Sequence, residues 1–380
     1  MLKFRHVYSI LLGALITTFL SSCEKEVFPV AAVDPVTNIA IVDEHSEFLI
    51  DWMKQGYKDM VLVHIDEHDD FRYIPEYKIR KIKKLYKDKK WDEIKSSRDK
   101  TNNSLFSISD FLYPAYKLGI IKKFYWIPTT DKVLAYNLQN HRRKLIGSWD
   151  YSDEIADSFH KTGNTMKGNI YGLEITITSL KDLPEINEPV LLSLDIDYFS
   201  DVIEDSGVDE LDLIKEFFLE LMKKNLKIKR LNIAYSTNSG HTLITERHLC
   251  EEIIYCLQHP EVLHEWKVPE LWKLRNRGFG LIRKNQMEEA LQFFSTSSNE
   301  YLKEPTLLLG KAISLSLSGE NEKAKSTISR LLQSNPEYDR VYTYLKDAHE
   351  ERGQSQMAKQ YFTEYLKRHP DYYSWIYNMK

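Results

Sequence analysis

The sequence predicts an α/β fold followed by an all-α helical-repeat region, and three observations lead to this prediction. Between residues 38 and 258, short β-branched or aromatic runs alternate with longer amphipathic stretches, as in proteins whose sheet is covered by helices. Residues 190–194 (VLLSL) lack the polar alternation of a half-exposed strand, which indicates a strand buried on both faces. From residue 271 onward, a 34-residue period replaces the alternation.

The alternating segment can be divided into individual strands and helices. The predicted strands are Ile39–Val42, Met60–Ile65, 123–127, 171–177, 191–194 and 231–235. The predicted helices are 46–55, 77–86, 107–118, 209–224 and 245–257. A helix that connects two strands of one sheet carries the chain back to the end where the first strand began. The two strands therefore run parallel. We therefore expect a mostly parallel sheet sandwiched by helices over residues 37–265.

The second part of the chain, residues 271–380, carries the internal repeat. Small residues recur at Ala290, Ala324 and Ala358, each 34 positions after the last. This pattern resembles that of tetratricopeptide repeats, in which a small side chain lets two antiparallel helices approach closely. Because the grooves of such repeats bind peptides, the resemblance implies a partner protein, and we expect one from the cell envelope.

The first residues have the features of a targeting segment. A short basic start precedes a mostly apolar run over residues 8–20, which is long enough for a signal peptide. The run ends in Leu-Ser-Ser-Cys at 20–23, which resembles the lipobox of bacterial lipoproteins. We therefore expect a signal peptide over 1–22, lipidation of Cys23 and a tether over 23–36. These features imply a lipid-anchored protein of the bacterial cell envelope, facing the periplasm or the cell surface.

Composition excludes some classes of function. The chain has 380 residues, and its 52 basic and 56 acidic residues give a net charge of −4, so no basic excess indicates nucleic-acid binding. Besides Cys23 the chain has only Cys250 and Cys256, whose spacing matches no zinc-ribbon motif. We interpret this pair as buried thiols within a helix.

Two groups of acidic and imidazole side chains follow predicted buried strands. Asp66, His68 and Asp70 alternate after the second strand, and Asp195 and Asp197 alternate at the end of a later one. Alternate residues of an extended chain face the same side, and sites of parallel sheets lie at the carboxyl ends of the strands. We therefore expect these five side chains to converge.

Such a convergence predicts bound cations. Four aspartates gathered in one place would repel one another unless protons or metal ions compensate their charge. Two divalent ions would balance the four carboxylates. Mixed carboxylate and imidazole ligands suit manganese, zinc or iron, and the surplus of carboxylates favours manganese.

The motifs Asp-x-His-x-Asp at 66–70 and Ser-x-Asp-x-Asp at 193–197 resemble those of the arginase/histone-deacetylase (ureohydrolase) superfamily. The resemblance covers residues 38–257 and is closest to an uncharacterised branch of that superfamily. It implies that His45, in a Val-Asp-Glu-His segment after the first strand, is a further ligand. It also implies one ion held by His45, Asp66, Asp70 and Asp195, and a second held by Asp66, His68, Asp195 and Asp197.

The resemblance also implies a reaction. Two metal ions activate a shared water for attack on a trigonal carbon, which hydrolyses an amide, acetamide or guanidine C–N bond. The substrate would be a small molecule or a modified peptide. Candidate proton donors are His241 and His160, with His64 as a third possibility whose side chain alternates away from the metal side. The glutamate with which arginases hold a guanidino group has no clear counterpart here.

An interaction protein is the alternative function. In that case the repeats recruit an envelope partner, and the metal-binding domain is structural or inactive. The complete set of ligand residues favours the hydrolase. Metal content, followed by substitution of His68 or Asp195, would separate the two hypotheses.

Overall fold

A computed structural model describes residues 36–98, 104–129, 151–206, 208–301 and 303–370. The predicted signal segment, Cys23 and all of the predicted tether except Val36 lie outside the described residues. We call residues 36–265 the sheet region and residues 270–368 the helical region. No helix in the described part of the chain is both long and apolar enough to cross a membrane.

One sheet forms the centre of the sheet region. Its strands are β1 Ile39–Val42, β2 Met60–Ile65, β3 Ile121–Ile127, β4 His160–Thr162, β5 Thr165–Ile170, β6 Leu173–Ile177, β7 Val190–Asp195 and β8 Ile228–Ala234. The eight strands lie in the order β1-β8-β7-β2-β3-β6-β5-β4. Strands from β1 to β6 in this order are parallel, while β5 and β4 are antiparallel additions at one edge. The prediction of a mostly parallel sheet is therefore confirmed.

Helices cover both faces of this sheet. They are α1 Glu47–Gln55, α2 Glu76–Lys87, α3 Trp91–Ser96, α4 Leu112–Lys117, α5 Asp153–Ser158, α6 Asp197–Ser206, α7 Glu210–Lys223, α8 Leu249–Gln258 and α9 Val262–Glu265. Successive residues of β2 belong to different cores, because Leu62 packs with α1 to α4 whereas Val61 and Val63 pack with α6 to α8. Burial on both faces explains why the strand sequences lack polar alternation.

Two predicted helices differ from the observed ones. The helix predicted over 107–118 begins only at Leu112, because Asp110 accepts a hydrogen bond from the backbone N–H of Ser107 and closes a turn there. The helix predicted over 245–257 is divided into a 3₁₀ turn, Ile244–Glu246, and α8. Cys250 and Cys256 in α8 are free and buried, as expected.

The helical region follows as a series of packed helices. These are α10 Glu270–Arg283, α11 Met287–Glu300, α12 Pro305–Leu317, α13 Asn321–Ser334, α14 Val341–Glu351 and α15 Ser355–Arg368. Ala290, Ala324 and Ala358 are all buried. The ring of Phe294 packs directly against Gly278 and Gly310, where a Cβ atom would overlap it. Small side chains therefore set the distance between neighbouring helices.

The two regions are packed into each other. Trp272 of α10 belongs to a core of the sheet region, and Ile244 belongs to the core of the helical region. Arg275 of α10 is buried and donates hydrogen bonds to Glu252 at 3.2 Å and to Glu304 at 2.9 Å. The helical region is thus joined to the sheet region by apolar contacts and a buried ionic contact.

Candidate metal centre

The carboxyl ends of four adjacent strands meet at one edge of the sheet. In the register of β1, β8 and β7, Val42 pairs with Ala234, which in turn pairs with Asp195. Ile65, the last residue of β2, pairs with Leu194 of β7. The loops after β1, β2, β7 and β8 therefore begin side by side, which brings distant parts of the chain together.

The loop after β2 brings its three polar residues together by bending. Residues 66–68 form a bend, and Asp70 has a left-handed backbone with φ of 47°. The expectation that an extended chain would align Asp66, His68 and Asp70 was therefore wrong in its geometry, although the side chains do converge. Asp195 still lies in β7, whereas Asp197 is the first residue of α6.

The inner part of the cluster lies around His45. Its Nε2 atom lies 3.2 Å from Oδ2 of Asp70, and its Nδ1 atom contacts Oδ2 of Asp195. The same Nδ1 atom lies 3.1 Å from the hydroxyl of Ser236, which donates a hydrogen bond of 2.6 Å to Asp195. All of these side chains are buried. His45 therefore links the loop after β1 to those after β2, β7 and β8.

Two carboxylate oxygens in this cluster lack a hydrogen bond. Oδ2 of Asp66 and Oδ2 of Asp70 are buried and have no hydrogen-bond partner among the described residues. Nε2 of His64 approaches them at 3.4 and 3.5 Å, and its Nδ1 atom lies 2.6 Å from the hydroxyl of Ser193. Unsatisfied buried carboxylate oxygens are unfavourable, so these atoms are suited to a cation.

The outer part of the cluster lies around His68. Its Nδ1 atom lies 3.0 Å from Oδ2 of Asp197, and its backbone N–H donates a 2.6 Å hydrogen bond to Asp66. The ring of His241 meets the ring of His68 edge-on, with 4.9 Å between centroids. The His68 side chain is 48% exposed, so solvent reaches this part of the cluster but not the part around His45.

Burial and neighbouring groups raise the pKa values of three side chains in the cluster, those of Asp66, His68 and Asp197. Burial, followed by repulsion from Asp197 and Asp70, raises the pKa of Asp66 well above its usual range. Burial likewise raises the pKa of Asp197 to about 6. Burial opposes protonation of His68, but its hydrogen bonds to Asp197 and Asp66 raise its pKa to about 12. Protons therefore compensate part of the negative charge.

Ligand atoms in the cluster lie close enough to share metal ions. Three overlapping groups have donor atoms within 4.8 Å of one another: His45, Asp66 and Asp70; Asp66, Asp195 and Asp197; and His68, Asp197 and His241. The first two groups are fully buried, and the third includes the exposed histidines. These buried aspartate and histidine groups can hold metal ions, as the sequence motifs predict.

The proton-donor candidates have different positions. His241 lies beside His68, whereas His160 is exposed on β4, at the antiparallel edge of the sheet. Four strand spacings of about 4.8 Å put β4 roughly 19 Å from β2, so the structure does not bring His160 to the cluster. His64 was expected to alternate away from the metal side and either to support the ligands or to belong to the core. It is buried and contacts Asp66 and Asp70.

Sequence reasoning missed two serines of the cluster. Ser236 follows β8 and has a left-handed φ of 47°, which directs its hydroxyl to Asp195. Ser193 pairs with His64 across β7 and β2. A polar residue directly after a buried strand was a usable signal for Ser236, because the same signal identified Asp195. The partner of His64 depended on register, which the sequence did not reveal.

The loop that carries His241 is held from both regions. Glu44 accepts a 2.7 Å hydrogen bond from the backbone N–H of Ser239. Arg247, stacked 3.7 Å from the ring centroid of Tyr235, donates a 2.9 Å hydrogen bond to Thr237. From the helical region, the Arg340 guanidinium donates a hydrogen bond to the carbonyl of Asn238. These contacts fix the loop near the cluster.

Comparison with known proteins does not assign a family to this chain. No protein-family model matches it, and no curated protein matches it significantly.

Proposed function

We propose that the protein is a metal-dependent hydrolase of C–N bonds of the amide, acetamide or guanidine type, with the arginase/deacetylase-like fold that its motifs resemble. One observation carries the proposal: buried oxygens of Asp66 and Asp70 lack hydrogen bonds within a cluster of carboxylates and imidazoles. A cluster of this composition fits two divalent ions, manganese first, with zinc or iron as alternatives.

The residues of the cluster can be assigned to two metal ions. His45, Asp66, Asp70 and Asp195 would hold the inner ion, and Asp66, His68, Asp195 and Asp197 would hold the outer one. All of these side chains except that of His68 are buried. Two ions held by these residues would supply a water of lowered pKa and would polarise the carbonyl or guanidino group of the substrate. His64 and Ser236 orient the carboxylates of Asp70 and Asp195. The exposed side of His68 is the side from which a substrate can approach.

Metal content tests the proposal directly. We expect chelator-treated, full-length protein to take up two equivalents of Mn²⁺, counted by elemental analysis after gel filtration. Asp195→Asn should lose most of this uptake, because Asp195 contacts His45 and belongs to a ligand group with Asp66 and Asp197. Turnover of a panel of amides, N-acetyl amines and guanidines should fall by at least about 100-fold in the same variant.

Asp69→Asn is the matched control for this experiment. Asp69 lies within the same loop and is buried, but its carboxylate approaches Arg72 at 3.7 Å and is in none of the ligand groups. Asp69→Asn should therefore keep both equivalents of Mn²⁺. Protein that binds both ions but turns over no member of the panel would favour the interaction-protein alternative. Protein that binds no metal would exclude the hydrolase.

We also propose that the hydrolase is anchored to a bacterial membrane through Cys23. The proposal is supported by the apolar run over residues 8–20, which ends in Leu-Ser-Ser-Cys at residues 20–23. Attached acyl chains anchor a protein stably when more than one is present. Cys23→Ser should move the protein from the membrane to the soluble fraction and abolish labelling by radioactive palmitate. Unchanged labelling of Cys23→Ser would contradict the anchor.

A further inference from the structure

We infer that His241 is a metal ligand, which completes the outer ion's site together with His68 and Asp197. The three side chains have donor atoms within 4.8 Å of one another. The inference rests on the proposed function, because it assigns a ligand to one of the two ions. It goes further in giving the outer ion a second imidazole, whereas the inner site has three carboxylates and one imidazole.

The distances fit a small transition-metal ion. A tetrahedral zinc ion with donor atoms about 2.0–2.1 Å away keeps neighbouring donors about 3.4 Å apart. Nδ1 of His68 and Oδ2 of Asp197 are 3.0 Å apart, close to this spacing. The ring of His241 lies edge-on to that of His68 at 64°, so a ring nitrogen can reach the same ion.

The position of His241 is fixed by its loop. Gly240 has a φ of 87°, and the backbone N–H of Thr242 donates a 3.1 Å hydrogen bond to the carbonyl of Ser236. The guanidinium of Arg340 contacts the carbonyl of Asn238 in the same loop. Side chains of metal sites are held in this way before the metal binds, which reduces the cost of ordering them.

The ligand types predict different metal preferences for the two ions. Two imidazoles and one carboxylate are a ligand set of catalytic zinc sites, which keep a further position open for water or substrate. The exposure of His68 and His241 leaves room for such a position. Carboxylate-rich ligands suit manganese. We therefore expect the outer site to accept zinc more readily than the inner site does.

Cobalt spectroscopy of the full-length protein tests the assignment. Chelator-treated protein is titrated with Co²⁺ alone and then with Zn²⁺ alone, and visible absorption and bound metal are recorded. Removal of a ligand in His241→Ala should weaken binding of one of the two ions by more than the roughly 10–100-fold that loss of a supporting contact costs. It should also change the visible absorption of bound Co²⁺. His68→Ala should affect the same ion.

Two further variants separate a ligand from other roles. His241→Cys offers a thiolate, which zinc accepts, and should restore most of the Zn²⁺ affinity lost in His241→Ala. His160→Ala removes an exposed histidine on β4 and should change neither affinity nor spectrum.

The possible failures are distinguishable. If His241→Ala keeps both affinities and the Co²⁺ spectrum, His241 is not a ligand, and a loss of turnover alone would then assign it to proton transfer. If the unaltered protein binds no metal, the proposed function fails together with this inference. Circular dichroism of each variant shows whether it has folded.

Discussion

A buried polar cluster in the helical region and one in the sheet region differ in how far their hydrogen bonds are satisfied. In the helical region, the buried hydroxyl of Ser316 lies 2.8 Å from Nε2 of His349 and 2.6 Å from the hydroxyl of Tyr361. These three side chains therefore provide hydrogen-bond partners for one another. In the sheet region, buried oxygens of Asp66 and Asp70 have no hydrogen-bond partner among the described residues. The difference indicates that the buried groups around Ser316 are satisfied without a ligand, whereas the cluster around Asp66 can hold metal ions.

The largest expected effect comes from removing apolar packing in the helical region. Phe294 is fully buried against Gly278 and Gly310. Phe294→Ala should lower the free energy of unfolding by about 3–5 kcal/mol, because it leaves a cavity. Denaturant unfolding measures this free energy with and without Mn²⁺, and the decrease should be equal under the two conditions. A loss that Mn²⁺ compensates would break the comparison.

Metal addition tests the sheet region. Mn²⁺ at a free concentration 100 times its dissociation constant should stabilise the folded protein by about 2.7 kcal/mol per site. Hydrogen exchange should slow most in residues 66–70 and 195–197, where the ligands lie. Residues 305–368 should change least in local exchange. Equal protection throughout these segments would show that metal stabilises the two regions alike.

The pH dependence of metal binding tests whether protons occupy the cluster in the sheet region when no metal is bound. The raised pKa values of Asp66, of Asp197 (about 6) and of His68 (about 12) mean that an ion must displace protons. Affinity should therefore rise with pH between 5 and 7, by up to about tenfold per pH unit for each displaced proton. Competition with a chelator at three pH values measures the affinity for Mn²⁺. A flat profile would contradict these shifts.

The smallest expected effect comes from Asp66→Asn. This change replaces a carboxyl group whose charged form is disfavoured by burial and by repulsion from Asp197 and Asp70. We expect the metal-free variant to be more stable than the unaltered protein by about 1 kcal/mol, since an unsatisfied buried acceptor is lost. Added Mn²⁺ should then give little further stabilisation. Thermal unfolding with and without Mn²⁺ checks both effects, and a destabilised metal-free variant would refute the first.

Much of the fold was predictable because burial leaves a direct mark on sequence. β1 and β2 begin and end as predicted, since apolar runs bounded by polar residues define them. The short, exposed β4 was not predicted, because an edge strand of three residues has no apolar pattern. Helix boundaries failed where side chains such as Asp110 close turns, because such local hydrogen bonds have weak sequence signals.

The candidate site was predictable to the extent that residue type and strand position determine it. Asp66, Asp195 and Asp197 follow or end buried strands, so their convergence followed from parallel topology. The roles of His64 and His160 were not predictable in the same way. They depend on which strands are neighbours and on the bends of individual loops, which one sequence does not specify.

The contact between Arg340 and Asn238 joins positions 102 residues apart. All residues of the cluster precede the helical region in the chain, so they can come together when the sheet region folds. The loop that carries His241 gains its contact with Arg340 only when the helical region packs against the sheet region. We therefore expect the loop that carries His241 to reach its final position late in folding.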